Sequence, residues 1–221
     1  MTSRRALATV VFLLSFLTLA QCMAASDYPV HRNIKTTVFW VGEKATNDNS
    51  HIPNSASSWD RNWKMHYGGY DDPNSRSGYR PKKFTPKENP FYFALPYDDL
   101  LEDGRPRQSA YDEVYWAEDE DWSERGSMLK NRWIQIKKGG RVAYAQWQDV
   151  GPYLSHDVNY VFGSARPKNK IGVGAGLDVS PAVRDYLKID NVDTVDWRFV
   201  DDEDVPDGPW TKVITTRGVS W

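Results

Sequence analysis

Residues 131–153 read NRWIQIKKGGRVAYAQWQDVGPY, and this stretch constrains the fold more than any other part of the chain. Trp133, Ile134 and Ile136 run into Lys-Gly-Gly, and residues 142–147 return with β-branched and aromatic side chains. That pattern predicts a β-hairpin. A hairpin alone is barely stable in water, so its apolar face must be covered by further strands. Candidate strands flank it: TTVFWVG (36–42), NPFYFALPYDDL (89–100, stopped by Pro96) and VDTVDWRFVD (192–201). DVSPAVRDYLKI (178–189) predicts a short helix. Ser180 is its cap, Pro181 takes the first helical position, and Ala182, Val183, Tyr186 and Leu187 line one face. Mostly strands with one or two short helices predicts a mainly β fold, a small barrel with long loop insertions.

The chief insertion, residues 43–89, is rich in Asn, Ser, Gly, Asp and Pro and carries Trp59, Trp63, Tyr67, Tyr70 and Tyr79. Within it SSWDRNWKMHY (57–67) reads as a short helix capped by Ser58, with Trp59 and Trp63 one turn apart. A loop this long in a compact domain is commonly functional or partly disordered. The chain has 10 tryptophans and 12 tyrosines, which can fill a core or form flat platforms for sugar rings. Trp59, Trp63, Tyr67, Tyr70 and, beyond the hairpin, Tyr153 are the candidate sugar-binding aromatics. DEVYWAEDEDWSERG (112–126) reads as a solvated acidic segment.

The chain opens MTSRRALATVVFLLSFLTLAQCMAAS, with Arg4 and Arg5 before an uncharged run that ends near residue 20. That run is shorter than the about twenty residues a membrane span needs, and residues 1–25 read as a secretory signal peptide. Cys22 is the only cysteine and lies at the end of this leader. A mature chain without cysteine has no disulfide or thiolate chemistry, which suits a secreted or periplasmic bacterial protein. Leu19-Ala20-Gln21-Cys22 offers an outer-membrane lipoprotein anchored through Cys22 as the less favoured alternative, because Gln21 is not small. Two of the 28 basic residues lie in the leader, so acids, at 30, outnumber bases in the remainder. That balance argues against a nucleic-acid partner. The expected division is a signal peptide (1–25), one barrel domain (36–201) and a C-terminal tail (202–221), as a monomer.

Three stretches carry a family resemblance. Gln148-Asp149-Val150-Gly151-Pro152-Tyr153 matches an Asn-Asp-Arg-Gly-Pro-Phe strand end. Leu177-Asp178-Val179-Ser180-Pro181-Ala182 matches an Asp-Leu-Ser that leads into a short helix. Ala94-Leu95-Pro96-Tyr97 matches a Thr-Leu-Pro-Phe stretch. On these residues the chain resembles the rare lipoprotein A family, whose six-stranded double-psi β-barrel is shared by the glycoside hydrolase family 45 endoglucanases and by expansins. The resemblance spans 36–201 and has departures. Val150 replaces an arginine, residues 154–176 separate motifs that normally lie close together, and His156 is only an offset counterpart of the family's histidine. Gly176-Leu177-Asp178 stands where expansin-like barrels have His-Phe-Asp.

Glycosidic cleavage needs a carboxylic acid near the leaving oxygen. Inverting hydrolysis adds a base, with the carboxyls about 6.5–9.5 Å apart. The resemblance makes Asp178 the general acid. Asp178 also lies near a helix start, whose dipole favours the ionised form, so a proton-donating role requires burial to raise its pKa. Asp149 either joins the chemistry or only fixes the Gly-Pro turn through backbone amides. Glu43, just after the first strand, and Asp60, between two tryptophans, are the candidate bases, and each also reads as a solvated loop acid. His156 either assists proton transfer or decorates a surface loop. DDEDVPDG (201–208) lacks the spacing of a calcium loop, and no zinc cluster or nucleotide motif stands out, so no metal, cofactor or nucleotide is expected. The expectation is an exported lytic transglycosylase or glycoside hydrolase acting on peptidoglycan or another β-linked glycan. The alternatives are a non-catalytic expansin-like binding module and a structural envelope protein.

Overall fold

The computed structural model describes residues 28–47, 49–118 and 126–218. The expected signal peptide, Cys22 and the middle of the acidic segment lie outside the described residues. The chain runs β1 (His31–Val38), α1 (Trp63–Tyr67), β2 (Arg76–Ser77), β3 (Arg80–Pro81), β4 (Tyr92–Leu95), α2 (Ala110–Glu113), β5 (Trp133–Lys138), β6 (Arg141–Val150), α3 (Val158–Val161), β7 (Leu177–Val179), α4 (Pro181–Leu187) and β8 (Val192–Val200). Six strands close into a barrel in the order β1-β7-β4-β6-β5-β8, and β2 and β3 form a separate ribbon. The β1–β7 and β4–β6 pairs are parallel and the other pairs antiparallel. The mainly β barrel expected from the sequence is thus present, with four short α-helices among the described residues where one or two were expected. Among the described residues no helix is long and apolar enough to cross a membrane.

The β5–β6 hairpin forms as its sequence predicts, pairing Trp133 with Gln146 through Lys138 with Arg141. Gly139 turns the chain at φ 55°, where a side chain would be strained. Helix α4 also follows its sequence: the Val183 N–H donates to Ser180 Oγ at 3.3 Å, Pro181 sits in the first turn, and Ala182, Val183 and Leu187 are buried. By contrast, the helix expected at 57–67 shortens to Trp63–Tyr67 with Asn62 before it, and Ser58 does not cap it.

Two apolar clusters hold the molecule together. The larger includes Ile34, Phe93, Leu95, Ile134, Ile136, Trp147, Leu177, Val179, Trp197 and Phe199. The smaller joins Phe39, Val41, Tyr92 and Ala94 to Trp63 and Tyr67 of the insertion. On β4 the alternation is clean, since Phe93 and Leu95 enter the large cluster while Tyr92 and Ala94 face the small one. The insertion is therefore a second layer on the barrel. Its seam is also polar: Tyr92 OH donates to Asp71 Oδ2 (2.8 Å) and accepts the Val41 N–H (3.0 Å), and Asp71 is paired with Arg76. The region expected as a tail is packed too. Trp210 is buried against Phe91, Tyr144 and Tyr186, and Thr215 exchanges hydrogen bonds with Asn89 and Gln146.

Candidate active site

Strand register places the motif aspartates in one row. Thr37 on β1 is the partner of Asp178 on β7, Asp178 that of Ala94 on β4, and Ala94 that of Asp149 on β6. The two aspartates therefore flank a strand that presents only a methyl group between them. Asp149 reaches this face through a β-bulge: the β4–β6 register steps from Phe93–Trp147 to Ala94–Asp149 and leaves Gln148 as the extra residue. Without the bulge, strict alternation from Ala143, Ala145 and Trp147 would turn Asp149 toward the barrel core. With it, Trp147 and Val150 both pack on the large cluster and Asp149 sits beside Ala94.

The two carboxylates are held differently. Asp149 Oδ1 accepts the backbone N–H groups of Ser58 and Val150, both at 2.8 Å. Asp178 Oδ1 accepts the Thr37 hydroxyl. Its other oxygen, Oδ2, faces Gly151, where a methyl group would sit 3.8 Å away. Glu43 completes the group, with Asn54 Nδ2 donating to its Oε2 at 2.9 Å. Burial pushes the Asp178 carboxyl up to about 6 against the pull of the Thr37 hydrogen bond. Burial, opposed by the Ser58 and Val150 amides and aided by the charge of Asp178, pushes Asp149 up to about 6. Burial and then the charge of Asp178 push Glu43 up to about 7. Asp149 and Glu43 both feel the charge of Asp178, and all three carboxyls hold protons more tightly than ordinary carboxylates do. Such a set can donate a proton at the pH where ordinary carboxylates cannot.

The other expected site residues separate from this group. Trp59, Trp63 and Tyr67 are 0%, 1% and 0% exposed and belong to the two cores, so no ring face is open for a sugar; their assignment as a platform is corrected. They are buried because the insertion folds back as a layer instead of forming a loop. Tyr70 and Tyr153, at 40% and 38%, remain open to a ligand. Trp40, which sequence reasoning passed over, is half-buried and donates from Nε1 to Tyr70 OH at 3.2 Å. Asp60 is not a base for Asp178, because it is buried against His66, with Nδ1 2.6 Å from Oδ2. His156 stacks on Tyr97, and Nδ1 contacts the Ser155 carbonyl rather than any of the three carboxyls. Thr37 was also missed. Its signal was only its place in a Thr-Thr pair, where alternation turns Thr36 inward and Thr37 toward β7's aspartate. The chain matches no protein-family model, and no curated protein is similar to it in sequence.

Proposed function

We propose that the protein is an exported carbohydrate-active enzyme that cleaves peptidoglycan or another β-linked glycan, with Asp178 as its acid. The observation that carries this reading is the row Thr37–Asp178–Ala94–Asp149, in which a half-buried carboxyl keeps one oxygen free over a glycine. The resemblance of residues 148–153 and 177–182 to the rare lipoprotein A barrels supports it, because Asp178 occupies the position of the acid there. Thr37 donates to Oδ1, so the transferable proton belongs on Oδ2.

Lytic cleavage needs one carboxyl, whereas hydrolysis also needs a base such as Glu43. In the lytic case one carboxyl serves twice. Asp178 Oδ2 gives its proton to the glycosidic oxygen as the bond to the sugar's anomeric carbon breaks. The sugar's own hydroxyl closes on that carbon and returns its proton to Asp178. The test is to incubate the mature protein with isolated cell walls and β-glucans and resolve the products. Anhydro-sugar ends that vanish in Asp178→Asn support the reading, free reducing ends move the chemistry to hydrolysis through Glu43, and release of neither removes the enzyme. A glycan-binding module without cleavage is the second reading, favoured by the exposed Tyr153 and by the exposed Tyr70 beside Trp40. Sedimentation with walls that yields no product would select it.

A further inference from the structure

Asp60, His66 and Glu88 stand apart from the row of carboxyls, yet one donor atom of each lies within 4.8 Å of the others. Their surroundings leave a polar account open. Glu88 is 4% exposed, and neither of its oxygens accepts a hydrogen bond. The nearest cation is the half-exposed Arg217, whose Nε is 3.6 Å from Glu88 Oε1. Lys130 Nζ is likewise buried without a hydrogen bond, and its charge acts on both Asp60 and Glu88. Buried polar atoms in native proteins are nearly always satisfied, so two bare carboxylate oxygens call for a partner. Glu88 is also fixed in place by its neighbour. The Asn89 N–H donates to Thr215 Oγ1 (2.9 Å), and its side-chain amide donates to Gln146 Oε1 and the Trp210 carbonyl (both 3.0 Å).

We propose that Asp60, His66 and Glu88 bind one divalent transition-metal ion, Zn²⁺ before others. One imidazole nitrogen and two carboxylate oxygens suit a four-coordinate ion that keeps a water as its fourth ligand. Calcium and magnesium call for six or more oxygens, which this cluster does not offer. Asp60 is already oriented, since Oδ1 accepts the Asn62 N–H at 2.9 Å and leaves Oδ2 toward His66. Binding exchanges the Nδ1–Oδ2 hydrogen bond for two metal bonds, with the imidazole proton moved to Nε2. With arms of about 2.0–2.1 Å the two donors spread to roughly 3.3 Å, and Glu88 closes from the other side. The Lys130 ammonium is the ion's competitor for the same two carboxylates. The side chain of His66, 17% exposed, marks the face from which an ion enters.

Calorimetric titration of the full chain, stripped with a chelator, with ZnCl₂ tests this directly. The expected result is one Zn²⁺ per chain, undisturbed by a tenfold excess of Ca²⁺ and retained when the exposed His51 and His156 are both replaced by alanine. Glu88→Gln weakens binding by more than the roughly 10–100-fold that loss of a residue supporting a metal ligand costs. Lys130→Met, which removes the competing charge, tightens it. Circular dichroism confirms that each variant is folded. If neither the wild type nor Lys130→Met takes up an ion, or if uptake is indifferent to Glu88→Gln, the cluster is an ion-pair network and the proposal fails. Because Lys130→Met reports a gain, the outcome does not rest on Glu88→Gln remaining folded.

Discussion

Among the described residues, two groups of buried and half-buried acids are built from the same side chains in different surroundings. Around Asp178 the neighbours are a hydroxyl, a methyl and two further carboxyls, with a glycine where a side chain would block access. Around Glu88 they are an ammonium, the Asp60 carboxylate, an imidazole and a guanidinium. Burial raises the pKa of Asp178 and of Glu88 alike, but only Glu88 has cationic side chains beside it to oppose that rise. Ser58, Trp59 and Asp60 join them. The Ser58 N–H caps Asp149, the Asp60 carboxylate faces His66, and the indole between them packs edge-on against Trp147, with ring centroids 5.7 Å apart. The lesson is that what surrounds a carboxyl withdrawn from water, and not the carboxyl itself, sets its affinity for a proton or a cation.

The contrast can be broken most sharply at Asp178. Asp178→Asn should lower wall cleavage by roughly 10²–10⁴-fold, the range for a lost acid–base group, with the melting temperature held, whereas Glu88→Gln should leave cleavage intact. Product release by the two variants, side by side, checks it; equal losses would dissolve the distinction. Next in size is Trp59→Ala, which should cost about 3–5 kcal/mol in denaturant unfolding, as for other buried aromatics. A stability change near zero with weakened sugar binding would return Trp59 to a platform role.

Asp149→Ala should cost roughly 1.5–3 kcal/mol, because the Ser58 and Val150 amides lose a charged acceptor. Urea unfolding measures this, and a neutral result would mean that water replaces the carboxylate. A pH series of melting temperatures comes after it. Asp149 and Asp178 at about 6 and Glu43 and Asp99 at about 7 all hold protons more tightly folded than unfolded. Their contribution to stability is thus complete below about pH 4 and is lost as pH rises to about 7. His31, pushed down to about 4 by burial and then Arg166, works the other way over the same window, but one histidine opposes four carboxyls. The melting temperature should fall from pH 5 to pH 8; a rise would place cations beside the row. Smallest is Tyr70→Ala, expected to weaken glycan sedimentation by about 1 kcal/mol with no change in stability.

Much of the barrel was legible because local chemistry agreed with it. Lys-Gly-Gly between two apolar runs, Pro96 after β4, and Ser180-Pro181 before α4 each act within a few residues of themselves. Asp178 was legible through its motif. The orientation of Asp149 was not, because alternation along β6 is broken by one residue and a bulge leaves no mark in Gln148 itself. Trp59 and Trp63 misled for a related reason. A tryptophan in a polar, glycine-rich stretch looks exposed until the stretch is seen to lie on a barrel. Glu88 and Lys130 gave no signal, since burial of a lone acid and a lone lysine 42 positions later depends wholly on distant packing.

The place of β1 has a consequence in time. Its only barrel neighbours are β7 and β8, so the strand that begins at His31 has nothing to pair with until residues 177–200 exist. Contacts of such long sequence separation form slowly. A growing chain therefore carries an open β1 edge until β7 and β8 have been made, and its barrel closes only when β8 arrives. The Thr37–Asp178 contact spans that same interval. The candidate acid can thus take up its setting only once β1 and β7 are both present, and any truncation ahead of β7 yields a chain that lacks both the closed barrel and the row.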